Sequence, residues 1–366
     1  MASTTTRSSK KLILVIGGTG AQGIPVVQAL LAPASDGAPS PYAVRVLTRN
    51  PDSSRAQQLT AQGVEIFKGS TDDFDSVYAA LDGVYGAFVN TDSFTIGEAK
   101  EIYTGMRIFE LAKQIGTLKH YVWSGLDYSF KKGSYDLIYR CEHHDAKGRV
   151  GEWMRAQPSV VSDRAMSWSI LSTMVYMEML TIPMLGPVNK RADGTYVFAA
   201  PIGDGHIPMV TLADVGFFAR YIFDNREKTS AQELEIASDW VDWNHLVSTF
   251  IKVTGKPAVY VPVSLDEWFN FWDEDDINRP IATERFSAPP DGSTTWRQNF
   301  TCWWSQYRDD IIKRDFKWLR RVNPDGHNLE SWMRATGYTG EYSAALLKNA
   351  EDGKSPRRNL ERVSRM

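Results

Sequence analysis

The sequence predicts an α/β protein, a doubly wound parallel sheet followed by a smaller C-terminal α+β lobe. Three observations predict it. Leu12, Ile13, Leu14, Val15 and Ile16 form a short, uninterrupted apolar run, which reads as a parallel strand buried on both faces. Gly17, Gly20 and Gly23 follow at three-residue spacing and lead into Val26, Val27, Leu30 and Leu31 at helical spacing. Further apolar runs then alternate with amphipathic helical stretches as far as residue 171, the rhythm of strand–helix–strand units.

Strand, glycine turn and helix together place a pyrophosphate on a helix N-terminus. The glycines let the backbone approach the phosphate, and the free N–H groups and helix dipole favour its charge. Gly17, Thr19, Gly20, Ala21, Gln22 and Gly23 are therefore the expected phosphate-side contacts of a dinucleotide. The bland alternative is a glycine turn that only tightens a strand–helix corner.

The loop at residues 32–41, rich in Pro, Ala and Ser, is long for its place and reads as a surface insertion. The second strand spans residues 43–47 and ends at Thr48, Arg49, Asn50 and Pro51. An acid here would bond the ribose 2′-hydroxyl of NAD, whereas an arginine pairs with the 2′-phosphate of NADP. Arg49 has no acidic neighbour before Asp52, and Arg55 lies a turn beyond. The pattern predicts NADP(H), with Arg49 and Asn50 among its contacts. An Arg49 stacked on the adenine would instead admit both cofactors.

Val64, Ile66 and Phe67 make the third strand. Asp72 after it sits where an adenine amino group is often met, or it caps the helix at 74–81. Residues 85–90 form the fourth strand, and Asn90 and Thr91 at its end face the middle of the cofactor. The helix at 98–115 carries Ile102, Met106, Phe109, Leu111 and Ala112 on one face. The fifth strand, 120–123, ends at Ser124, and a sixth follows at 167–171.

Composition bounds the rest. The 366 residues are 43% hydrophobic and 23% charged, ordinary for a soluble globular protein. A net charge of −3 gives no case for nucleic-acid or bilayer binding. Cys141 and Cys302 have no metal-ligand spacing, so no metal is expected and the protein reads as cytoplasmic and disulfide-free. The first residues lack an apolar signal core, and no run reaches the roughly 20 apolar residues of a membrane span. Ser364, Arg365 and Met366 resemble a peroxisomal address, the alternative location.

Four stretches together make a resemblance specific: GGTGAQG at 17–23, VLTRNP at 46–51, YVWSGL at 121–126 and HDAKGRVGEWM at 144–154. The chain resembles the NmrA-like proteins, an atypical branch of the short-chain dehydrogenase/reductase superfamily akin to isoflavone-reductase-like enzymes. The resemblance runs from about residue 12 to about residue 326. It implies an NAD(P)-binding Rossmann domain and a smaller substrate lobe, in a family of both enzymes and non-catalytic dinucleotide-binding regulators.

The resemblance also implies roles. Lys147 matches the superfamily lysine that binds the nicotinamide ribose, and Ser124 matches its serine. The position of the catalytic tyrosine, four residues before the lysine, is His143. Histidine there lies one turn from Lys147, and its ordinary pKa near 6.5 suits general acid or base work. The competing reading is a surface histidine near a helix start. Tyr139 and Tyr128 are alternative proton donors. Thr173 and Tyr176 fall in the family loop that packs on the nicotinamide.

The expected organisation is a disordered tail at 1–10, the Rossmann domain at 11–180, a partly interleaved lobe at 181–346 and a disordered basic tail at 347–366. Nine tryptophans crowd residues 240–332. Most read as core, and a few as walls for an aromatic substrate. The run Asp273, Glu274, Asp275, Asp276 reads as a solvated loop. Two functions fit. One is an NADP(H)-dependent oxidoreductase of a bulky, aromatic, secondary-metabolite-type small molecule, including a variant that cyclises its substrate without net redox change. The other is an NADPH/NADP sensor that regulates a protein partner. Oligomeric state is not legible.

Overall fold

A computed structural model describes residues 10–34, 36–285, 293–343 and 354–366. Its centre is a seven-stranded sheet. Strands β1 (Lys11–Ile16), β2 (Tyr42–Thr48), β3 (Glu65–Lys68), β4 (Gly86–Val89), β5 (His120–Gly125) and β6 (Ser167–Ser172) come first in the chain. β7 (Asn189–Lys190), β8 (Tyr196–Ala200) and β9 (Ile207–Met209) follow outside the sheet, and β10 (Gln232–Glu235) returns to it. The spatial order is β10-β6-β5-β4-β1-β2-β3, with every pair parallel. The order reverses between β1 and β4, and ligands bind such sheets at the strand ends beside that switch point.

Alternation along β1 explains its apolar run. Ile13 and Val15 face a layer with Val26, Val27 and Leu30 of helix Gly23–Leu31 and Val215 and Phe218 of helix Leu212–Asp224. Leu14 and Ile16 face the opposite layer, with Val77, Ile108 and Val150 from helices Phe74–Leu81, Glu98–Gln114 and Glu142–Arg155. A strand covered on both sides has no polar face to show.

The seventh strand leaves little trace in the sequence. Gln232–Glu235 reads QELE, and only Leu234 is buried. It lies at the sheet edge, where neither alternation nor a continuous apolar run is required.

In the lobe β8 pairs with β7 and with β12 (Ala258–Pro262), and β9 pairs with β11 (Asp239–Val241). Trp268, Trp272, Trp296, Trp303 and Trp304 pack on one another at centroid separations of 4.9–5.6 Å or through Phe300, and all are buried. These rings are core.

Residues 354–366, expected in a disordered tail, pack against the lobe. Asn359 N–H donates to Phe271 O, and Val363 is buried. Their basic charge is matched by the acidic run expected to be solvated: Arg357 Nε lies 2.9 Å from Asp276 Oδ2, and Asp273 caps a short helix. Ser364 and Arg365 close that final turn, and Arg191 donates to Met366 O. Residues 347–353 of the expected tail and 1–9 lie outside the described residues. Among the described residues no helix is long and apolar enough to cross a membrane.

Candidate cofactor site

The glycine turn leaves β1 with Gly17 at φ +81°, a conformation that favours glycine. Gly20 N–H closes the turn on Gly17 O at 3.0 Å. A Cβ on Gly23 would meet Gly17 O at 2.1 Å and Gly18 Cα at 2.5 Å, so backbone packs directly on backbone. A Cβ on Gly20 would meet only Gly17 O, at 3.2 Å, so the turn has an open side there. Helix Gly23–Leu31 has no side-chain cap and no acid in its first turn. Ile24 N–H closes on Gly20 O at 3.2 Å and Pro25 has no N–H, so what this end offers an anion such as a pyrophosphate is the positive pole of the helix dipole with no carboxylate at it.

Beside the turn lies a basic corner. Arg49 is exposed at the end of β2, and Arg55 donates Nη1 to Thr19 O at 3.1 Å. Asn50 shapes the corner, accepting from Asp52 N–H at 3.1 Å. Asp72 follows β3, which pairs with β2, and lies 3.5 Å from Lys100, which also holds Glu284 at 2.9 Å. The Ser70 hydroxyl bonded to Asp72 holds its carboxyl below the usual range. The capping role considered for Asp72 belongs to Asp73, which accepts from Ser76 N–H.

Lys147 projects from helix Glu142–Arg155 into the ends of β4 and β5. Its Nζ lies 2.9 Å from Thr91 O, 3.1 Å from Asn90 Oδ1 and 3.3 Å from Ser124 O. Glu101 Oε1 stands 3.2 Å away, on the first turn of helix Glu98–Gln114, and is fully buried. The same carboxylate accepts from Thr91 Oγ1 at 2.6 Å and from the Ser93 hydroxyl.

Ser124 donates to Gln22 Oε1 at 2.5 Å. Gln22 Nε2 in turn reaches Tyr176 Oη at 3.1 Å and Thr173 Oγ1 at 3.3 Å. The chain of hydrogen bonds runs from the glycine turn across the ends of β5 and β6. Burial pushes the Tyr176 phenol up to about 12, so it keeps its proton.

His143 is buried, not on the surface. Its Nδ1 accepts from Asn299 Nδ2 at 3.1 Å, and that amide is oriented by Glu142 N–H donating to Asn299 Oδ1 at 2.9 Å. The ring packs on Phe94 at 4.7 Å and Phe300 at 6.0 Å. Burial holds the imidazole well below its ordinary pKa, so it is neutral at pH 7 and not the near-neutral acid expected from sequence. Cys141, His143 and His144 bring ligand atoms within 4.8 Å of one another. The Asn299 amide occupies the His143 Nδ1 lone pair, whereas His144 Nδ1 is buried without a hydrogen-bond partner among the described residues. Tyr139 points elsewhere, bonding Asp309 at 3.0 Å from the short helical turn Leu137–Tyr139. Tyr128 packs over Arg149.

The family model described as NmrA-like family matches residues 9–282. The chain belongs to the NmrA-like family. The NmrA-like family domain-containing oxidoreductase himF of Aspergillus japonicus is 28% identical over 261 residues, covering 69% of this chain and 76% of its own. A crystal structure of NmrA, a negative transcriptional regulator in complex with NAD, has the same fold, with TM-score 0.69 and 18% identity over 91% of this chain and 99% of NmrA. The Citrobacter sp. triphenylmethane reductase complexed with NADP(H) aligns with TM-score 0.63 and 18% identity over 89% and 99%.

Against this NmrA-like background, two site residues, Asn299 and Glu101, lie outside the expected set. Asn299 left no signal, being 156 positions from His143. The bridging role of Gln22 was hidden too, although the residue itself was named. Glu101 did leave a trace. It shares the helix stripe of Gly105, Ile108 and Ala112, all buried, so an acid stood on an apolar face.

Proposed function

We propose that this protein is an NADP(H)-dependent oxidoreductase acting on a small molecule, of bulky, aromatic, secondary-metabolite type. The observation that carries the reading is the convergence of the open glycine turn, the Arg49–Arg55 corner and the Lys147 ammonium along one row of strand ends. The himF name and the reductase fold relative support it. When bound, NADPH supplies a hydride.

The residues then divide the work. The turn from Gly17 to Gly23 takes the pyrophosphate, and Arg49 takes the 2′-phosphate. Lys147, with Asn90 and Thr91, orients the nicotinamide ribose. Tyr176 replaces His143 as the group we assign to proton delivery. Its oxygen accepts from Gln22, which leaves its own proton free to meet a substrate oxygen. Neutral His143 keeps Nε2–H as a hydrogen-bond donor beside the Phe94 and Phe300 rings. A Tyr176 proton donor serves equally the variant in which a substrate cyclises without net redox change.

The second reading, a redox sensor with a protein partner, is favoured by one observation, the absence of tyrosine at position 143. The deciding experiment screens the purified protein with NADPH against aromatic carbonyls and imines, following both absorbance and product mass. NADPH consumption with a reduced product supports the reductase. Product without consumption selects cyclisation. No turnover, with tight NADPH binding and a partner captured only in one redox state, selects the sensor.

A further inference from the structure

We propose that Glu101 is the positioning residue for Lys147. Its buried carboxylate fixes both the ammonium and the turn at residues 90–93 in the arrangement that meets the cofactor's ribose. The inference rests on Lys147 as the ribose ligand.

Three features lead to it. Lys147 is itself buried, and a buried ammonium needs a compensating charge. Its hydrogen-bonding partners among the described residues are the neutral Asn90, Thr91 and Ser124, and Glu101 supplies the opposite charge at 3.2 Å. The pair is buried at the strand ends, where Lys147 meets Asn90, Thr91 and Ser124. The carboxylate also reaches beyond the lysine. Thr91 Oγ1 donates to Oε1 and Ser93 Oγ to Oε2, so both oxygens are engaged. One carboxylate thus ties helix Glu98–Gln114, the turn after β4 and helix Glu142–Arg155 to a single point.

The geometry also shows how a ribose could be received without breaking the pair. Lys147 has three protons and more than three acceptors. The Thr91 Oγ1 contact at 3.5 Å and the Ser124 O contact at 3.3 Å are the longest. Those can give way to ribose hydroxyls while Glu101 and Thr91 O keep the ammonium in place. Asp92 is a second carboxylate whose charge Lys147 feels, but Glu101 makes the one direct ion pair of Lys147 among the described residues, so without it the ammonium loses its anchor and the long side chain is free to leave.

The test compares four proteins: the parent, Glu101→Gln, Lys147→Met and the double variant. Each is titrated with NADPH and with 2′,5′-ADP, which carries the adenosine end but no nicotinamide ribose, and each is melted without ligand. Glu101→Gln should weaken NADPH about tenfold and leave 2′,5′-ADP within about twofold. In the Lys147→Met background the glutamate change should have no further effect on NADPH. Lys147→Met strands a buried carboxylate and should melt roughly 5 °C lower, and the double variant should recover most of that loss.

Equal weakening of both ligands by Glu101→Gln would make Glu101 a general structural residue and overturn the proposal. So would a loss that persists undiminished in the Lys147→Met background. NADPH affinity unchanged by Lys147→Met would overturn the ribose reading and the positioning role with it. The melting cycle would then still report whether the ion pair exists, which separates the two failures.

Discussion

Gly20 and Gly23 look equivalent in the motif, but their surroundings separate them, and alanine at each should fail in a different way. A Cβ at Gly23 would lie 2.1 Å from Gly17 O, 2.5 Å from Gly18 Cα and 2.7 Å from Gly17 C. An ordinary contact to these atoms is over 3 Å, so the overlap approaches 1 Å. Every clashing atom is backbone, and no rotamer relieves it. The turn must move bodily, at a cost near the upper end of the usual overpacking range, about 3 kcal/mol. That corresponds to a fall in melting temperature of roughly 4 °C for a chain of this size. At Gly20 the sole near atom is Gly17 O at 3.2 Å, which needs to yield by a few tenths of an ångström. Gly20→Ala should therefore melt within about 2 °C of the parent. Its methyl group, however, stands on the open side of the turn, where the phosphate must approach. The assay is calorimetric melting with and without NADPH. In the parent, NADPH at 100 times its Kd adds about 2.7 kcal/mol. Gly20→Ala should keep the unliganded melt and lose that increment, whereas Gly23→Ala should lose both. A Gly20→Ala protein with parental NADPH affinity would place the pyrophosphate elsewhere. An unshifted melt in Gly23→Ala would refute the packing of the turn.

Four further outcomes follow from the same structure. Arg49→Ala should weaken NADPH ten- to hundredfold more than NADH, roughly 1.5–3 kcal/mol for a charge-assisted bond, and isothermal titration showing equal losses would mean that Arg49 stacks on adenine. Tyr176→Phe should slow turnover about 10²–10⁴-fold with NADPH binding retained, while His143→Phe should leave the pH–rate profile without any change near neutrality; the reverse pattern would return the proton to His143. Arg314 holds buried Asp127 with two bonds of 2.6 and 3.0 Å while Lys132 Nζ remains 2.5 Å from the same carboxylate, so Arg314→Met should cost about 1.5–3 kcal/mol in urea unfolding, and a loss below about 1 kcal/mol would show the pair to be dispensable. Burial pushes the Asp145 carboxyl up to about 7, and its Oδ2 has no partner. The folded protein holds that proton above the unfolded value of about 3.9, so ionisation costs stability as pH rises from about 4 to 7. Asp145→Asn should therefore gain on the parent at pH 8 relative to pH 4, and a melting difference independent of pH would contradict the burial argument.

The sequence by itself determined the layered sheet, the glycine turn and the place of Lys147. These depend on local patterns: an apolar run for a doubly covered strand, glycines where backbone meets backbone, and a helical interval between Lys147 and the residues around it. It also named the family, because four such patterns recurred in one order. Tertiary structure alone decided what those groups touch. It turned His143 from a presumed titrating acid into a neutral, buried ring, since desolvation depends on Phe94, Phe300 and Asn299, which are distant in the chain. It set Tyr139 against Asp309 and drew Gln22 to both Tyr176 and Ser124. It placed Glu101 beside Lys147 and ordered the basic C-terminal residues on an acidic run thought to be solvated. Periodicity reports which face of an element is covered. Charge, protonation and partner choice depend on what covers it, and that is fixed only when separate elements close on one another.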